Sequence, residues 1–423
     1  MRVFVIGSGG REHGLVWKLA QSQHVTHIYA APGNPGMLPY AECVPLGVSQ
    51  LTDLAMFAEK NAIDLTVVGP EVPLVEGIVD VFRERGLRIF GPDKASAALE
   101  GSKAFAKELM TEADIPTAQY RAFTHADEAF AYLAQHGVPV VIKADGNAAG
   151  KGAIVALDVP TAQDALKQMM VDRVFGAAGD SVVIEDYLEG DEIGATAICN
   201  GTHYLPLTLT QDHKRALDND QGLNTGGMGA FAPLPFVDKE QEAYIWRNIV
   251  AATLQALKAR GIHFTGVLYS NIMLTKNGPM VLEHNTRFGD PETQAMMLLM
   301  REDMLNVLDF AEILPVKRNT MWHPSSAVCI TLASGGYPGA YQSDIPITGV
   351  DNANKVEGTQ VFHAGTALKD GQLVTAGGRV LSVTARGENL QDAVNKAYEA
   401  VKYIRFEGMQ YRRDIGHRGL VRA

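Results

Sequence analysis

Residues 139 to 152 read P-V-V-I-K-A-D-G-N-A-A-G-K-G. The β-branched run from Val140 to Ile142 predicts a short buried strand that delivers Lys143 into a glycine-rich loop. The glycines of that loop are Gly146, Gly150 and Gly152, and its own lysine is Lys151. Glycines let backbone N–H groups approach phosphate oxygens, and two ammonium groups add the charge that a polyphosphate needs. The stretch predicts either a nucleotide-phosphate loop or a glycine-rich turn with two solvated lysines.

The spacing of this loop differs from that of a Walker A loop. Three residues rather than four separate Gly146 from Gly150, and Gly152 stands where the magnesium-binding serine or threonine belongs. A Walker A site is therefore excluded, and the rest of the sequence has to decide between the two alternatives.

The bulk composition bounds the class of protein. A chain of 423 residues with 46% hydrophobic and 20% charged residues should form about two to four globular domains. The net charge of -11 argues against nucleic acid or an anionic membrane as the main partner, because such partners leave a basic footprint. The three cysteines have no metal-binding or redox spacing. Since the sequence has no signal-peptide core and no apolar run near ~18 residues, we expect a cytoplasmic protein.

The first 101 residues alternate short apolar strands with helices, and glycine or proline turns follow the strands. This pattern predicts a doubly wound parallel sheet, in which ligands bind beyond the carboxyl ends of the strands. Gly7 and Gly9 begin a dinucleotide fingerprint, but Glu12 occupies the third glycine position, so NAD is not expected. Gly10 and Arg11 could hold a phosphate at the first helix N-terminus, or the glycines could serve only as tight turns.

Two segments of the central region are unusually polar. The predicted strand Ser181 to Leu188 runs into the acidic residues Glu189, Asp191 and Glu192. These residues could form a solvated turn, or an acidic side chain could accept hydrogen bonds from ribose hydroxyls. Residues 211 to 229 form a long loop within a compact domain, and such loops are usually functional or disordered.

A predicted hairpin carries two oxygen-bearing side chains that suit a metal ion. Its strands span residues 264 to 275 and 279 to 285, on either side of an Asn-Gly turn. Glu283 and Asn285 are two positions apart in the second strand, so their side chains share one face. Such a pair suits Mg²⁺, which completes its coordination shell with phosphate and water. The alternative is a polar strand edge.

Six motifs, in order along the chain, resemble the phosphoribosylamine-glycine ligase family of the ATP-grasp superfamily. They are G-S-G-G-R-E-H at Gly7 to His13, V-G-P-E at Val68 to Glu71, K-A-D-G-N-A-A-G-K-G at Lys143 to Gly152, Q-D-H-K-R at Gln211 to Arg215, N-T-G-G-M-G-A at Asn224 to Ala230 and R-F-G-D-P-E-T-Q at Arg287 to Gln294. The resemblance covers essentially the whole chain. It implies an N-terminal doubly wound α/β domain over residues 1–101, a central ATP-grasp domain over 102–323 with a small lid at about 119–190, and a C-terminal α+β domain over 324–423. We see no chemistry of its own in the last of these domains.

The resemblance also implies an activity. Members of this family join glycine to 5-phosphoribosylamine with cleavage of ATP, giving glycinamide ribonucleotide, ADP and phosphate in purine biosynthesis. The implied metal is Mg²⁺ or Mn²⁺, and the implied partners are the three small substrates and neighbouring purine-pathway enzymes, without nucleic acid or membrane. The expected route passes through glycyl phosphate and needs no protein nucleophile, so catalysis would consist of positioning and charge neutralisation.

The resemblance assigns the site residues to four groups. ATP would meet Lys103, Lys143, Gly146, Gly150, Lys151, Gly152, Glu185, Asp186, Tyr187, Leu188 and Glu192. The metal ligands would be Glu283 and Asn285. Phosphoribosylamine would meet Gly10, Arg11, Glu12 and Glu71, and the reacting centre would be lined by Asp212, Lys214, Arg215, Gly227, Met228, Gly229, Arg287 and Asp290. Lys151 and Arg287 are expected to neutralise charge, and Asp290 is a candidate general base.

The sequence departs from the usual family pattern at a few positions. They are Asn147 in place of leucine, Gly194 in place of serine, Ser270-Asn271 in place of Ala-Gly, and His284 in place of an aromatic residue. We expect His284 to point away from the metal face and Asn271 to alter the substrate pocket. Two alternatives stay open at this point: an ATP-grasp ligase for another acid or amine, and an ATP-binding scaffold without activity. The first-domain motifs argue against the former, and the Glu283 and Asn285 pair argues against the latter.

Overall fold

The computed structural model describes residues 1–146, 152–309 and 321–422. Its first part is a five-stranded parallel sheet with strand order β3-β2-β1-β4-β5. The elements are β1 (Arg2–Gly7), α1 (Gly10–Leu19), β2 (His27–Pro32), β3 (Glu42–Cys43), α2 (Leu51–Lys60), β4 (Leu65–Val68), α3 (Glu71–Glu76), α4 (Ile78–Glu84), β5 (Ile89–Phe90) and α5 (Lys94–Gly101). Val3 and Val5 of β1 pack on the α1 side, whereas Phe4 and Ile6 pack on the α2 and α4 side. Helices thus cover both faces, and the predicted doubly wound sheet is confirmed.

The lid predicted around the phosphate loop is a small sheet of its own. After α6 (Lys103–Glu112), the chain forms β6 (Tyr120–Phe123), α7 (Ala126–His136), β7 (Val140–Ala144), β8 (Ala153–Ala156), α8 (Val159–Leu166) and β9 (Val182–Asp186). The four strands are antiparallel in the order β6-β9-β7-β8, and their apolar side chains pack against α7 and α8. The strand predicted from the β-branched run is β7, and it ends just after Lys143.

A second antiparallel sheet carries the predicted metal hairpin. Its strands are β10 (Asp191–Asn200), β11 (His203–Pro206), β16 (Thr265–Thr275) and β17 (Gly278–Asn285), in the order β11-β10-β16-β17. Between them lie β12 (Gln211–Asp212), β13 (Arg215–Leu217), β14 (Gln221–Asn224), β15 (Gly229–Ala232), α9 (Lys239–Tyr244) and α10 (Ala252–Ala259), the last two joined by a π-helical segment, Ile245–Ala251. Beyond β17 come α11 (Glu292–Leu299) and α12 (Met304–Asp309).

The C-terminal sheet contains strands from both sides of residue 323. Its later elements are β18 (Ser326–Ala333), α13 (Val350–Ala353), β19 (Thr359–His363), the β20 (Thr366–Lys369) and β21 (Gln372–Thr375) hairpin, β22 (Arg379–Gly387), α14 (Leu390–Val401) and α15 (His417–Val421). The sheet order is β12-β15-β18-β22-β19, with antiparallel pairing throughout. The predicted boundary at 323 therefore runs through one continuous sheet.

The first, central and last parts of the chain meet where α1 packs on α11. A Cβ at Gly10 would lie 2.5 Å from the Gln294 side-chain nitrogen and 3.3 Å from Ser382 Oγ. A larger residue at position 10 would require the Gln294 side chain to move, so the predicted phosphate turn also serves as a packing site between domains. In the described part of the chain, no helix is long and apolar enough to cross a membrane.

Candidate active site

Glu283 and Asn285 share one face of β17, and the residue between them faces the other way. His284 is hydrogen-bonded to Ser270 Oγ at 2.9 Å and to Thr253 Oγ1 at 3.3 Å, within the core. The expectation that His284 points away from the metal face is confirmed. Hydrogen bonds and alternation in the strand thus leave two oxygen-bearing side chains, the half-buried Glu283 and the buried Asn285, on the opposite face.

The surroundings of Glu283 keep its carboxylate ionised. Burial alone would raise its pKa, but the nearby Lys214, Lys143, Lys103 and Arg287 lower that pKa to about 2. Among the described residues there is no cluster of three or more His, Cys, Asp or Glu side chains that could hold a metal. One carboxylate and one amide oxygen fit Mg²⁺ or Mn²⁺, hard ions that also take phosphate and water oxygens.

Lys143 lies in a buried chain of charges beneath this face. Its ammonium group is paired with Glu185 and donates to the Leu282 carbonyl at 3.0 Å. Glu185 is paired on its other side with Lys107, which also donates to Thr117 Oγ1. Burial favours the neutral form of Lys143, but Glu185 and Glu283 outweigh it and raise the Lys143 pKa. The cation that would meet a phosphate is therefore held in place and charged.

Lys107 was absent from the predicted site, although the sequence contained a signal for it. Lys103 and Lys107 are four residues apart in α6 and so lie on the same face of the helix. Lys103 Nζ donates to the Gly146 carbonyl at 3.1 Å, at the start of the phosphate loop. Asp145 ties the same point to the helix, since its carboxylate accepts from Ser102 Oγ and the Ala104 amide, both at 3.1 Å.

Some predicted nucleotide contacts remain predictions. Gly150 and Lys151 lie outside the described residues, as does Asn147, while the Gly152 carbonyl accepts from the Ala144 amide at 2.8 Å. The Glu185 carboxylate is occupied by two lysines, so a contact with adenine would fall to its backbone. The other predicted residues of this group lie half-buried at or beyond the end of β9, namely Asp186, Tyr187, Leu188 and Glu192.

Arg287 links the face of β17 that carries Glu283 and Asn285 to the first domain. Its guanidinium donates to Asn285 Oδ1 at 3.0 Å, and it forms ion pairs with Glu100 at 3.2 Å and Glu71 at 3.8 Å. Burial opposes its charge, yet these two carboxylates keep its pKa above the ordinary value. Glu100 was not predicted, and it also accepts from the Thr286 amide at 2.7 Å. Arg287 and Glu71, predicted from separate motifs, are therefore brought together.

In the first-domain turn, the charged side chains of Arg11 and Glu12 mainly contact other protein groups. The buried Glu12 carboxylate accepts from the Gly9 amide at 2.6 Å and pairs with Arg11, whose Nη1 donates to the Phe288 carbonyl at 3.1 Å. A Cβ at Gly69 would lie 2.1 Å from Glu12 Oε1. The Glu12 side chain thus supports both glycine turns from beneath rather than facing solvent.

The C-terminal domain places one arginine, Arg379, against a predicted site residue, Asp290. Arg379 pairs with the Asp290 carboxylate at 3.4 Å, and it donates to the Asp290 and Gly226 carbonyls at 2.6 and 2.8 Å. Burial would raise the pKa of Asp290, but Arg379 and Arg11 lower it. The only sequence signal was a Gly-Gly-Arg turn at the start of β22.

The pKa of Asp212 is shifted in the opposite direction to that of Asp290. Its pKa is raised well above the ordinary value by burial and then by the neighbouring Glu292 carboxylate, and its Oδ1 has no hydrogen-bond partner. Lys214 lies 3.9 Å from Asp212 and 3.4 Å from Glu192. A carboxyl group in such surroundings binds a proton readily.

In the loop that follows, some of the predicted residues lie beside Asp212 and others do not. Gly227 lies against Asp212, and the buried Met228 and Gly229 hold the turn through backbone hydrogen bonds with His213. The Arg215 guanidinium instead donates to the Gly222 carbonyl within the β13–β14 hairpin at 2.9 Å. Its side chain therefore does not join the others.

Comparison with known proteins gives one consistent result. Models of the phosphoribosylglycinamide synthetase N domain, ATP-grasp (A) domain and C domain match residues 1–100, 101–293 and 327–418. Phosphoribosylamine-glycine ligases of Vibrio vulnificus and Pseudomonas aeruginosa are each 47% identical over 426 residues, which covers 100% of this chain and 99% of theirs.

Solved structures agree with the sequence relatives. The crystal structure of phosphoribosylamine-glycine ligase from Thermotoga maritima matches with a TM-score of 0.82 and 34% identity, covering 98% of this chain and 100% of that one. The biotin carboxylase domain of 2-oxoglutarate carboxylase from Hydrogenobacter thermophilus matches with a TM-score of 0.74 at 16% identity, covering 97% and 91%. The second likeness concerns the fold alone.

Proposed function

Because this chain belongs to the phosphoribosylglycinamide synthetase family, we propose that it joins glycine to 5-phosphoribosylamine through a glycyl phosphate intermediate, with cleavage of ATP to ADP and phosphate. The chain is an ATP-grasp ligase, and its product would be glycinamide ribonucleotide, an intermediate of purine biosynthesis. The observation that carries the proposal is the position of Arg287, which contacts Asn285 on the metal face and Glu71 in the first domain. A group transferred from nucleotide to sugar substrate would pass this guanidinium.

Glu283 and Asn285 would hold a magnesium or manganese ion against the nucleotide phosphates. When bound, such an ion neutralises charge that develops on the transferred phosphoryl group. Lys143 and Lys103 lie close enough to Glu283 to lower its pKa, so they would meet the same phosphates. The predicted contributions of Lys151 and the Gly146 to Gly152 loop complete this half of the proposal.

In the first step, a glycine carboxylate oxygen forms a bond to the γ-phosphorus while the bond from that phosphorus to the β–γ bridging oxygen breaks, so that ADP leaves. The negative charge spreads over the phosphoryl oxygens, where Lys143 and Arg287 would stabilise it by fixed position rather than by covalent chemistry. Arg287 suits this role because its charge is secured by Glu100 and Glu71.

In the second step, the amine of phosphoribosylamine attacks the acyl carbon, and phosphate leaves with the carboxylate oxygen of glycine. The nitrogen must lose a proton as the amide forms, so a nearby base would help. We propose Asp212 for this role rather than Asp290. Asp212 Oδ1 has no hydrogen-bond partner, and in its ionised form Asp212 would be the stronger base because its pKa is raised, whereas Asp290 is paired with Arg379 and has a lowered pKa.

The deciding experiment uses glycine labelled with ¹⁸O in its carboxylate, Mg-ATP and phosphoribosylamine generated during the assay. We expect glycine-dependent release of ADP in equal amounts to glycinamide ribonucleotide, with one ¹⁸O in each phosphate released. Unlabelled phosphate would contradict the acyl phosphate route. ADP release that depends on another acid, and not on glycine, would contradict the substrate assignment but keep the ligase chemistry.

Arg287 provides a test of the proposed phosphoryl site. We expect Arg287→Ala to lower kcat by about 100-fold or more, because preorganised charge at a transition state is worth on the order of 3 kcal/mol. Arg287→Lys is the matched variant, since it keeps the charge but loses the forked contacts, and we expect it to recover part of the rate. Unchanged turnover with glycine in Arg287→Ala would refute the role.

A further inference from the structure

Asn271 joins the proposed metal-binding carboxylate to the protein interior. It lies in β16 directly opposite Glu283 of β17, and its side chain is buried, with the whole residue only 2% exposed. Its amide nitrogen is 3.3 Å from Glu283 Oε1, and its amide oxygen accepts from the Tyr269 hydroxyl at 2.8 Å. The side chain is thus turned toward Glu283 and is buried. From the sequence we had instead expected Asn271 to alter the substrate pocket.

Tyr269 is itself firmly held. Its hydroxyl contacts the buried Glu292 carboxylate at the start of α11, so one chain of polar contacts runs from Glu292 through Tyr269 and Asn271 to Glu283. The tyrosine ring lies over Gly194, where an added Cβ would be 2.5 Å from the ring. Gly194 is also the register partner of Asn271 across β10 and β16.

Gly194, Tyr269 and Asn271 therefore belong to one arrangement. Glycine at 194 leaves room for the ring of Tyr269, and the ring places its hydroxyl on the amide oxygen of Asn271. The Glu283 carboxylate fixes which way the amide points, because an ionised carboxylate only accepts hydrogen bonds and therefore faces the amide nitrogen, which leaves the amide oxygen beside the Tyr269 hydroxyl. The Glu283 carboxylate then has one oxygen engaged by the protein.

We propose that Asn271 is a positioning residue that orients the Glu283 carboxylate for the metal ion. The proposal rests on the assignment of Glu283 as a metal ligand under the proposed function. A carboxylate held at Oε1 presents its other oxygen in a defined direction, and partners that orient a ligand typically change metal affinity by about 10- to 100-fold when they are removed. Because the Asn271 side chain is buried and contacts Glu283 and Tyr269, we expect its effect to fall on the metal-dependent part of binding.

The test measures the dissociation constant of ADP by calorimetry, once with Mg²⁺ and once with EDTA. The ratio of the two constants reports how much the metal tightens binding. We expect Asn271→Leu, which has a similar branched shape without polar atoms, to reduce this ratio by about tenfold while leaving the constant in EDTA unchanged. Ser270→Ala is the matched control, because it removes a hydrogen bond from the opposite face of the same strand and should keep the ratio.

A second variant tests the orientation mechanism. Tyr269→Phe removes the hydroxyl that contacts the amide oxygen, together with its contact to Glu292, and leaves the contact between the amide nitrogen and Glu283 in place, so we expect a smaller fall in the ratio than in Asn271→Leu. The double variant should behave like Asn271→Leu alone, because both changes act through one contact with Glu283.

The outcomes separate this proposal from the one on which it rests. If Mg²⁺ does not tighten ADP binding to the unmodified protein, the metal assignment fails and this inference fails with it. If Mg²⁺ tightens binding and Asn271→Leu keeps the full ratio, the metal assignment stands and the role of Asn271 is refuted. An equal loss of affinity with and without metal would also refute it, since that result indicates a structural role only.

Discussion

Replacing Gly227 by alanine tests whether the turn over Asp212 sets the geometry of the reacting centre. Gly227 has a φ of 119°, and an added Cβ would lie 2.5 Å from Pro291 Cδ and 2.8 Å from Asp212 Oδ1. A side chain at such a φ costs on the order of 1–3 kcal/mol in backbone strain. The contact comes in addition, and it can be relieved only by moving the Asp212 carboxyl group or the start of α11.

Gly278→Ala separates the strain from the contact. Gly278 has a similar φ of 106°, but no heavy atom lies within 4 Å of its added Cβ. Gly278→Ala should therefore lose stability through backbone strain alone, on the order of 1–3 kcal/mol, and Gly227→Ala should lose that amount and more because of its contact. Only Gly227→Ala should also lose activity, by about 100-fold in kcat/KM, because a displacement near 1 Å at a reacting centre has effects of that order.

The assay combines urea unfolding of both variants with initial rates of glycinamide ribonucleotide formation at saturating ATP. A fall in kcat/KM for Gly227→Ala with a much smaller change for Gly278→Ala would support the reasoning. Equal activity losses in the two variants would refute it, because the loss would then follow backbone strain rather than the contact with Asp212.

Three further predictions follow from the charges and buried histidines. Lys107→Met should raise the KM for ATP by about tenfold, because Glu185 would lose one of its two lysine partners and would position Lys143 less firmly. A change only in the KM for phosphoribosylamine would contradict this. Arg379→Met should raise the KM for phosphoribosylamine and leave that for ATP unchanged in the same initial-rate assay. Burial lowers the pKa of His13 to about 3 and of His363 to about 4, so the unfolded chain takes up protons first as pH falls below 6.5. Each histidine should therefore lower the free energy of unfolding by about 2 kcal/mol between pH 7 and pH 5. In urea titrations, the fall in unfolding free energy over this range should be about 2 kcal/mol smaller for His363→Asn than for the unmodified protein. An unchanged pH dependence in the variant would contradict this.

Local patterns predicted most of the fold because they report burial directly. The β-branched run before Lys143 became β7, and the Asn-Gly turn became the β16–β17 hairpin. The pairing of β15 with β18 was not foreseen, since nothing local marks which strands from distant parts of a chain will meet. The same limit explains why the predicted domain bounds did not reveal that β12 and β15 join the C-terminal sheet.

The site was predictable where one motif carried the chemistry, and not where partners came from elsewhere. Glu283 and Asn285 are two positions apart, so strand geometry alone puts them on one face. Glu100 and Arg379, in contrast, matter only because Arg287 and Asp290 lie beside them in the folded chain. A single charged residue outside a motif gives no sign of such a partner.

The departures from the family pattern are best understood in pairs that share a strand register. Ser270 and His284 are register partners across β16 and β17 and are hydrogen-bonded to each other in the core, while Gly194 and Asn271 face each other across β10 and β16. A polar residue buried alone would leave an unsatisfied group and cost stability, whereas a matched partner removes that cost. Changes on both faces of β16 can therefore accumulate without altering Glu283 or Asn285. The two proposed metal ligands of β17 thus keep their positions while buried polar contacts on both faces of β16 support them.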